Sequence, residues 1–367
     1  MDKPRKKTLR PGFTTGTAAA ASAKAALMHL LGQEKPKQVD VDLLTGETLT
    51  IVVDSVARDG AASIATVIKD AGDDPDITHK ARIGARVSLL PEPGLVIING
   101  GKGVGMVTKP GLEIPPGEPA INLGPRKMIR QSVEQVLEAH DRRDGVHVEI
   151  FVEDGEILAQ KTLNHRLGIE GGLSILGTTG LVKPLSHEAY TATIASAMSV
   201  ARACGARHVA LTTGRRTEKH AQAFFMELPE EAFIQIGDFF QMSMECVAEN
   251  GFPRATLAVF FGKALKMARG FPHTHAAKSS LTMDWLADLA REISMDESLA
   301  EEISQANTAR QAFGMVYPDC PAVLARVADF MIQSAQNFCH GAAHIRAIIF
   351  DFDGNVAFDS EGQEERL

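Results

Sequence analysis

Residues 162–186, TLNHRLGIEGGLSILGTTGLVKPLS, are the stretch around which this chain is built. Glycines at this density do not form a regular helix or a strand interior, but they adopt positive φ and let another group approach the backbone closely. Apolar residues between the glycines, such as Leu173 and Ile175, predict that the loop is packed rather than loose. We therefore predict a binding loop, and an ordinary glycine-rich connection between two domains is the alternative.

The composition is that of a globular protein with two domains. A chain of 367 residues is too long for one hydrophobic core, and 44% of its residues are hydrophobic. The net charge of −8 argues against a nucleic-acid partner, which needs a concentrated basic face. No apolar run approaches the length of a membrane span, so we expect no membrane partner and a cytoplasmic location.

The four cysteines have neither the spacing of a zinc site nor a pattern that suggests disulfide pairs. We predict buried, reduced thiols at Cys204, Cys246, Cys320 and Cys339.

The N-terminal part begins with a turn at residues 10–16 and a helix at residues 17–31, which is rich in alanine and closed by Gly32. Thr14, Thr15 or Thr17 can cap this helix. The N–H groups of its first turn form either an anion site or a plain capping turn.

Alternating residues predict the strands that follow. They form hairpins at 39–44 with 48–53 and at 147–152 with 156–161, the second joined at Asp154-Gly155, and strands at 85–90 and 94–99. The acidic segment 70–76 is predicted to be solvated surface.

A second glycine cluster, NGGKGVG at residues 99–105, follows a strand, where a phosphate-binding loop is expected. It matches neither the P-loop pattern nor the dinucleotide fingerprint. A helix at 126–140 comes later, with Pro125 in its first turn and Arg126 among the basic residues at its start. Because cations at a helix start oppose the macrodipole, a bound anion would relieve a cost; a solvated basic turn is the alternative.

From residue 186 onward helices and strands alternate. Strands at 208–213, 233–238 and 256–262, separated by helices, predict a parallel sheet with ligands beyond its carboxyl ends. Asp238, at one of these ends, either accepts hydrogen bonds from a ribose diol or caps the next helix, and Glu218 has the same two readings.

Two other patterns are set aside. Asp351 and Asp353 imitate the DxDG opening of aspartate-nucleophile phosphatases, but too little chain follows to supply the rest of such a site. His273 and His275 would point to opposite sides of a strand, and no third metal ligand is evident. We predict no metal site in the protein.

Several of these segments together resemble the CbiD family. The resemblance is carried by GFTTGTAAA at 12–20, residues 100–122 and 125–129, KTLNHRLGIEGGLSILGTTGLVKPLS at 161–186, and residues 237–275. It covers nearly the whole chain in the family's order, although Lys102 and Met106 depart from the family's common pattern. That family comprises cobalt-precorrin-5B C1-methyltransferases of cobalamin biosynthesis.

The resemblance implies a fold and a reaction. The expected fold is two-domain, α+β and α/β, with a permuted ribosomal S5 domain 2-like tetrapyrrole-binding domain at 1–184 and a Rossmann-like domain with a parallel sheet at 185–367. The expected reaction is methyl transfer from S-adenosylmethionine to C1 of cobalt-precorrin-5B, giving cobalt-precorrin-6A, with cobalt present only as part of the substrate. A homo-oligomer and transient contacts with neighbouring cobalamin-pathway enzymes are compatible with it.

The substrate carries many carboxylates, which glycine-loop N–H groups and basic side chains can hold. The candidate substrate-binding residues are Thr14, Thr15, Gly16, Lys102, Gly103, Lys109, Asn122, Arg126, Arg166, Gly171, Gly172, Ser174, Thr178, Thr179, Gly180 and Lys183. The candidate S-adenosylmethionine residues, at the strand ends, are Thr213, Gly214, Glu218, Gly237, Asp238, Gly262 and Lys263.

No catalytic residue is assigned. Methyl transfer from a sulfonium needs no protein nucleophile, and His165 and Glu170 are only nearby groups that could assist a proton transfer. A non-catalytic tetrapyrrole carrier is the rival function, and it predicts macrocycle binding without affinity for S-adenosylmethionine.

Overall fold

The structure is a computed structural model that describes residues 9–32, 34–184, 186–275 and 280–362. The chain divides into two compact units, Met1–His187 and Glu188–Leu367, called here the N-terminal and the C-terminal unit. No helix among the described residues is long and apolar enough to cross a membrane.

The N-terminal unit contains three helices and thirteen strands within the described residues. The helices are α1 (Thr15–Gly32), α2 (Leu123–Ala139) and α3 (Gly155–Ala159). The strands are β1 (Gly12–Phe13), β2 (Gln38–Asp42), β3 (Thr48–Val52), β4 (Ser55–Asp59), β5 (Ala62–Ile68), β6 (Arg82–Leu90), β7 (Val96–Gly100), β8 (Gly103–Val104), β9 (Met106–Val107), β10 (Gly145–Val152), β11 (Ile169–Glu170), β12 (Gly172–Leu173) and β13 (Leu181–Val182).

The main sheet of this unit has the strand order β4-β5-β6-β10-β7 in the described part of the chain. Its pairs are antiparallel except β10 with β7, which run parallel with Val148 opposite Ile98. Strands β2 and β3 form the predicted hairpin, with Val41 opposite Leu49. The β4–β5 hairpin was not among the predicted strands.

Helix α1 is the centre of the N-terminal core. Its alanines from Ala18 to Ala26 are fully buried, and it contacts α2, β5 and β6. Small side chains let neighbouring elements come close on every side, and the few polar groups are satisfied: Ser22 Oγ donates to the Ile83 carbonyl oxygen at 2.8 Å. An alanine-rich helix therefore serves here as core rather than as surface.

The predicted hairpin at 147–152 with 156–161 is wrong. Strand β10 forms as expected, but Asp154 turns into the left-handed region (φ 55°) and helix α3 begins at Gly155. Tertiary contact explains the difference, because Gly155 lies against the backbone of Gly103.

The acidic segment 70–76 is also not simply solvated surface. Asp76 Oδ2 lies 2.6 Å from Nζ of Lys69, a lysine side chain that is only 1% exposed. Asp70 pairs with Arg10 at 2.5 Å. Burial raises the pKa of Asp76, but the charge and hydrogen bond of Lys69 outweigh it and leave that pKa below its ordinary value. This segment thus neutralises a buried cation.

The C-terminal unit alternates helices and strands. Its helices are α4 (His187–Ala203), α5 (Arg215–Phe224), α6 (Phe240–Glu249), α7 (Phe261–Ala268), α8 (Ser280–Ser294), α9 (Glu297–Ser304), α10 (Ala309–Val316) and α11 (Pro321–Phe338), with a 3-10 turn at Glu230–Ala232. Its strands are β14 (His208–Thr212), β15 (Phe233–Gln235), β16 (Arg254–Phe260), β17 (His344–Phe350) and β18 (Val356–Asp359).

These strands form one sheet in the order β15-β14-β16-β17-β18. The first four are parallel, with Leu211 opposite both Ile234 and Leu257. Parallel pairing was predicted for β14, β15 and β16, whereas β17 was not among the predicted strands. Strand β18 runs antiparallel to β17. The sheet core is apolar, and fully buried residues such as Phe240, Phe252 and Leu257 fill it. The result is a two-unit α/β protein with mixed sheets.

The cysteines are all free thiols. Cys246 and Cys339 are buried, as predicted, whereas Cys204 is exposed and Cys320 is half-buried, so the prediction of four buried thiols is wrong for these two. Burial, followed by the charges of Glu249 and Glu245, raises the pKa of the Cys246 thiol to about 11.

Candidate functional site

The glycine loops of the N-terminal unit meet each other through their backbones. Gly103 in β8 pairs in parallel with Gly172 in β12. A Cβ atom on Gly172 would lie 2.3 Å from the Gly103 carbonyl oxygen, and one on Gly155 would lie 2.2 Å from the same atom. Much of the glycine content is therefore required by contact of one chain segment with another. Gly171, with φ +78° and open space around it, is different and faces outward.

The start of α1 is a capping turn rather than an open anion site. The Thr17 N–H donates to Thr14 Oγ1 at 3.2 Å, and the Gly16 N–H donates to the Leu176 carbonyl oxygen at 2.9 Å. Thr15 Oγ1 accepts from the Leu176 N–H at 2.7 Å. These groups join residues 174–180 to the helix, and the N–H groups of Gly16 and Thr17, two of the donors that an anion would need, are already used.

The other predicted loop residues lie close to this turn. Gly180 accepts at its carbonyl oxygen from Thr17 Oγ1 at 2.7 Å, and Ser174 Oγ donates to Asn164 Oδ1 at 3.4 Å. Thr179 Oγ1 donates to the Leu181 carbonyl oxygen at 3.3 Å. Thr178 is exposed.

The start of α2 has its own carboxylates. Arg126 donates from Nε to the Ile121 carbonyl oxygen at 2.7 Å, and its Nη2 lies 3.0 Å from Glu118 Oε2. Glu113 Oε2 accepts from the Leu123 N–H at 3.2 Å. The carboxylates of Glu113 and Glu118 therefore offset the positive charge at the start of α2, which a bound anion was predicted to do. Asn122 precedes the helix and makes no side-chain capping bond.

The remaining predicted cations occupy different settings. Lys102 and Lys183 are exposed, and Lys109 is half-buried against Gly168. Arg166 is half-buried in the glycine-rich loop that begins at residue 162. Two apolar side chains of the same unit are also exposed: Met106, which pairs across β9 and β11 with Glu170, and Leu176, which is 47% exposed. Basic and exposed apolar side chains are the groups that a large ligand with carboxylate side chains requires.

In the C-terminal unit, the predicted strand ends come together at one edge of the sheet. Strands β14 and β15 are adjacent and parallel, so Gly214 follows one strand while Gly237 and Asp238 follow its neighbour. The connection after β14 leads to one side of the sheet and the connection after β16 leads to the other. This reversal is the topological position at which open parallel sheets bind ligands.

Asp238 is held by a small polar network. Lys263 Nζ donates to Asp238 Oδ1, and Thr274 Oγ1 donates to the same oxygen at 3.1 Å. The Thr274 N–H donates to the Asp238 carbonyl oxygen at 2.9 Å. Burial raises the pKa of Asp238, but the hydrogen bond and charge of Lys263 outweigh it, so the pKa lies below its ordinary value. The result is an ionised acceptor whose side chain remains 34% exposed.

The alternative role of Asp238 as a helix cap is excluded. Helix α6 has Phe239 as its N-cap residue and no side-chain capping bond. Glu218 likewise does not cap α5. It is 3% exposed and accepts a hydrogen bond from Gln235 Nε2 at 2.8 Å, which ties α5 to the end of β15.

Aromatic rings flank Asp238. Tyr190 stacks on Phe239 with ring centroids 5.1 Å apart, and His273 contacts Phe239 edge-on at 5.4 Å. A Cβ on Gly237 would lie 2.6 Å from Tyr190 Oη, so glycine is needed there for the tyrosine to approach. Burial, followed by the Asp238 charge, raises the pKa of Tyr190. Tyr190 is 42% exposed and presents an aromatic surface beside the carboxylate.

Neither Tyr190 nor the hydrogen bond from Thr274 to Asp238 was predicted from the sequence. Thr274 lies between His273 and His275, and the two histidines suggested a metal site rather than a contact of Thr274. Among the described residues no group of three or more His, Cys, Asp or Glu side chains is arranged to hold a metal ion.

The phosphatase-like segment is a tight turn between β17 and β18. Asp351 Oδ1 accepts from the N–H groups of Asp353, Gly354 and Asn355, and Oδ2 accepts from Asn355 Nδ2. Its oxygens are thus engaged in the turn, which agrees with setting it aside as a nucleophile.

The CbiD family model matches residues 2–184, and the model of the CbiD C-terminal domain matches residues 273–361. A cobalt-precorrin-5B C(1)-methyltransferase of Nitratidesulfovibrio vulgaris is 43% identical over 355 residues, covering 94% of this chain and 91% of that protein. The chain belongs to the CbiD family.

Other CbiD-family relatives cover similar lengths. The cobalt-precorrin-5B C(1)-methyltransferase of Geobacillus kaustophilus is 41% identical and covers 98% of both chains, and that of Priestia megaterium is 45% identical over 83% of both. A crystal structure of a cobalamin biosynthesis protein (cbiD) from Archaeoglobus fulgidus is 29% identical, with a TM-score of 0.40, over 69% of this chain and 78% of that one.

Proposed function

We propose that this chain methylates C1 of cobalt-precorrin-5B with S-adenosylmethionine, giving cobalt-precorrin-6A in anaerobic cobalamin biosynthesis. Relatives named for this methyl transfer match almost the full length of the chain. We further propose that the C-terminal unit is a Rossmann-like cofactor domain and that the N-terminal unit, resembling ribosomal S5 domain 2, binds the tetrapyrrole.

The observation that carries the cofactor assignment is the β14-α5-β15 segment. A glycine follows the first strand, and an ionised, partly exposed aspartate follows its parallel neighbour. Gly214 has open space where a Cβ would be, so a nucleoside can approach its backbone. Asp238 can accept hydrogen bonds from a ribose diol, as acidic residues do at the end of the second strand in dinucleotide-binding units.

The chemistry asks little of protein nucleophiles. The methyl carbon leaves the sulfonium while an electron pair of ring carbon C1 forms the new carbon–carbon bond, and S-adenosylhomocysteine departs as a neutral sulfide. The protein's part is to align the two reactants and to exclude water. Within this proposal, Lys102, Lys109, Arg166 and Lys183 hold substrate carboxylates, and cobalt arrives inside the substrate.

Calorimetric titration of the full chain with S-adenosylmethionine and S-adenosylhomocysteine tests the proposal. We expect saturable binding of both, and we expect Asp238→Ala to weaken it by about ten- to a hundredfold, the usual worth of a hydrogen bond to a charged group. Absence of binding, even with a porphyrin present, would favour a tetrapyrrole carrier. If Asp238→Ala bound S-adenosylmethionine as tightly as the unaltered chain does, the cofactor site assigned here would be wrong, although the proposed reaction would stand.

A further inference from the structure

Two arginines and two phenylalanines form a chain of contacts at the carboxyl edge of the C-terminal sheet. Arg216 lies in the first turn of α5, directly after β14, and Phe260 ends the neighbouring strand β16. Phe352 follows β17, and Arg310 lies in the first turn of α10. The group therefore lies at the sheet edge where the connections after β14 and β16 diverge.

The geometry orients both guanidinium groups. Arg216 Cζ is 5.1 Å from the ring centroid of Phe260, and Arg310 Cζ is 4.7 Å from that of Phe352. The two rings are stacked, with centroids 5.6 Å apart and planes inclined by 10°. Arg216 Nη2 also donates to the Phe352 carbonyl oxygen. A guanidinium on a ring face keeps the N–H groups at its margin available for a planar anion.

The charges around this group favour an anionic ligand. Arg216 and Arg310 are both exposed, and neither forms an ion pair within the described residues. Glu218, two residues after Arg216 on α5, is 3% exposed and accepts a hydrogen bond from Gln235. Two further acidic residues, Asp351 and Asp353, flank Phe352. Asp351 has its oxygens occupied by four hydrogen bonds of its own turn, and Asp353 is exposed.

We propose that Arg216 and Arg310 are carboxylate-binding residues at this edge of the sheet. The proposal rests on the proposed function, since both ligands of that reaction carry carboxylates. One source is the amino-acid end of S-adenosylmethionine, and the other is the acetate and propionate side chains of the tetrapyrrole. In either case the pair extends the C-terminal site beyond the nucleoside contacts of Gly214 and Asp238.

The test uses three probes with the full chain: S-adenosylhomocysteine, 5′-methylthioadenosine, which lacks the amino-acid end, and uroporphyrin, which carries acetate and propionate groups. The variants are Arg216→Gln and Arg310→Gln. Arg326→Gln is the matched control, because Arg326 also lies over a ring, 4.4 Å from the Phe330 centroid, but on α11. Thermal melting checks that the variants are folded. Arg310→Gln leaves the hydrogen bond from Arg216 to the Phe352 carbonyl oxygen in place, so it removes one guanidinium without removing that bond.

We expect each edge variant to weaken one carboxylate probe by about tenfold, with no change in Arg326→Gln. Weaker S-adenosylhomocysteine with unchanged 5′-methylthioadenosine identifies the cofactor's carboxylate. Weaker uroporphyrin with both nucleosides unchanged identifies the substrate's carboxylates.

Two results would overturn the pair while the unaltered chain still binds S-adenosylhomocysteine. One is unchanged affinity for all probes in folded variants, and the other is an equal loss for S-adenosylhomocysteine and 5′-methylthioadenosine. In both cases only the pair fails. If the unaltered chain binds none of the probes, the pair and the proposed function fail together.

Discussion

At the scale of single residues, His208 gives the C-terminal unit a predictable response to acid. Its Nε2 lies 2.8 Å from Thr256 Oγ1, and its ring contacts Phe225 edge-on. Burial, followed by the charges of Arg254 and Arg346, lowers the pKa of His208 from 6.5 to about 4, while Glu361 and Glu227 act weakly in the other direction. The imidazole is therefore neutral in the folded protein.

Between about pH 6.5 and pH 4 the unfolded chain binds a proton at this position that the folded chain does not. The free energy of unfolding should therefore fall as the pH is lowered through this window and rise again with pH. His208→Gln should make that slope shallower, because it removes the group whose pKa differs between the folded and the unfolded chain. Urea denaturation monitored by Trp285, a tryptophan of the same unit, measures it; a slope unaffected by His208→Gln would contradict the assignment.

Asp238 shows how far residue chemistry can be inferred from sequence. A carboxylate after a strand is recognisable as a ligand-contacting candidate, and the structure excludes its helix-cap alternative. Its partner Thr274 could not be inferred, because the two lie 36 residues apart and meet only through tertiary folding. Tyr190 could not be inferred for the same reason, since its stacking on Phe239 joins the start of α4 to the N-cap of α6.

At the scale of elements, the glycine contacts make a sharp stability prediction. Gly155→Ala would place Cβ 2.2 Å from the Gly103 carbonyl oxygen, so we expect a destabilisation of about 1–3 kcal/mol, as for other overpacked sites. Gly32→Ala, at the end of α1, meets only an ordinary contact of 3.6 Å with His140. Alanine there should be neutral or stabilising by up to about 1 kcal/mol.

Chemical denaturation followed by far-ultraviolet circular dichroism compares the two variants within the same unit. Similar midpoints for Gly155→Ala and Gly32→Ala would show that the backbone at Gly155 can move aside without cost.

Elements were predicted correctly where the local sequence pattern and the tertiary contacts agree, and incorrectly where they conflict. Hairpin β2–β3 formed because its turn and alternation agree with the tertiary structure. The Asp154-Gly155 pair is an equally strong local turn signal, yet the contact of Gly155 with Gly103 favours α3 instead. Parallel pairing of β14 with β16 could be inferred from alternation of helices and strands, whereas the antiparallel direction of β18 had no local signal.

At the scale of the whole molecule, the proposed division of ligands between units predicts a double dissociation. Arg166→Ala in the N-terminal unit should weaken uroporphyrin binding by about tenfold and leave S-adenosylhomocysteine binding nearly unchanged. Asp238→Ala should do the reverse. Arg142→Ala is the control for Arg166, because Arg142 is an exposed arginine of the same unit that pairs with Asp144 at 2.6 Å.

Isothermal titration of the three variants with both ligands measures this pattern. If Arg166→Ala weakened S-adenosylhomocysteine more than uroporphyrin, the assignment of one ligand to each unit would be wrong, although the reaction could stand.

The two outer strands of the C-terminal sheet have a consequence for behaviour at high concentration. Strand β15 is three residues long and β18 is four, and Asp359 on β18 pairs with Arg346 at 2.5 Å. Short edge strands with charged side chains present few unpaired backbone groups to another chain. They cover the inner strands β14, β16 and β17, which are rich in β-branched residues. Another chain therefore has little edge on which to extend the sheet, and the architecture itself protects against amyloid-like association.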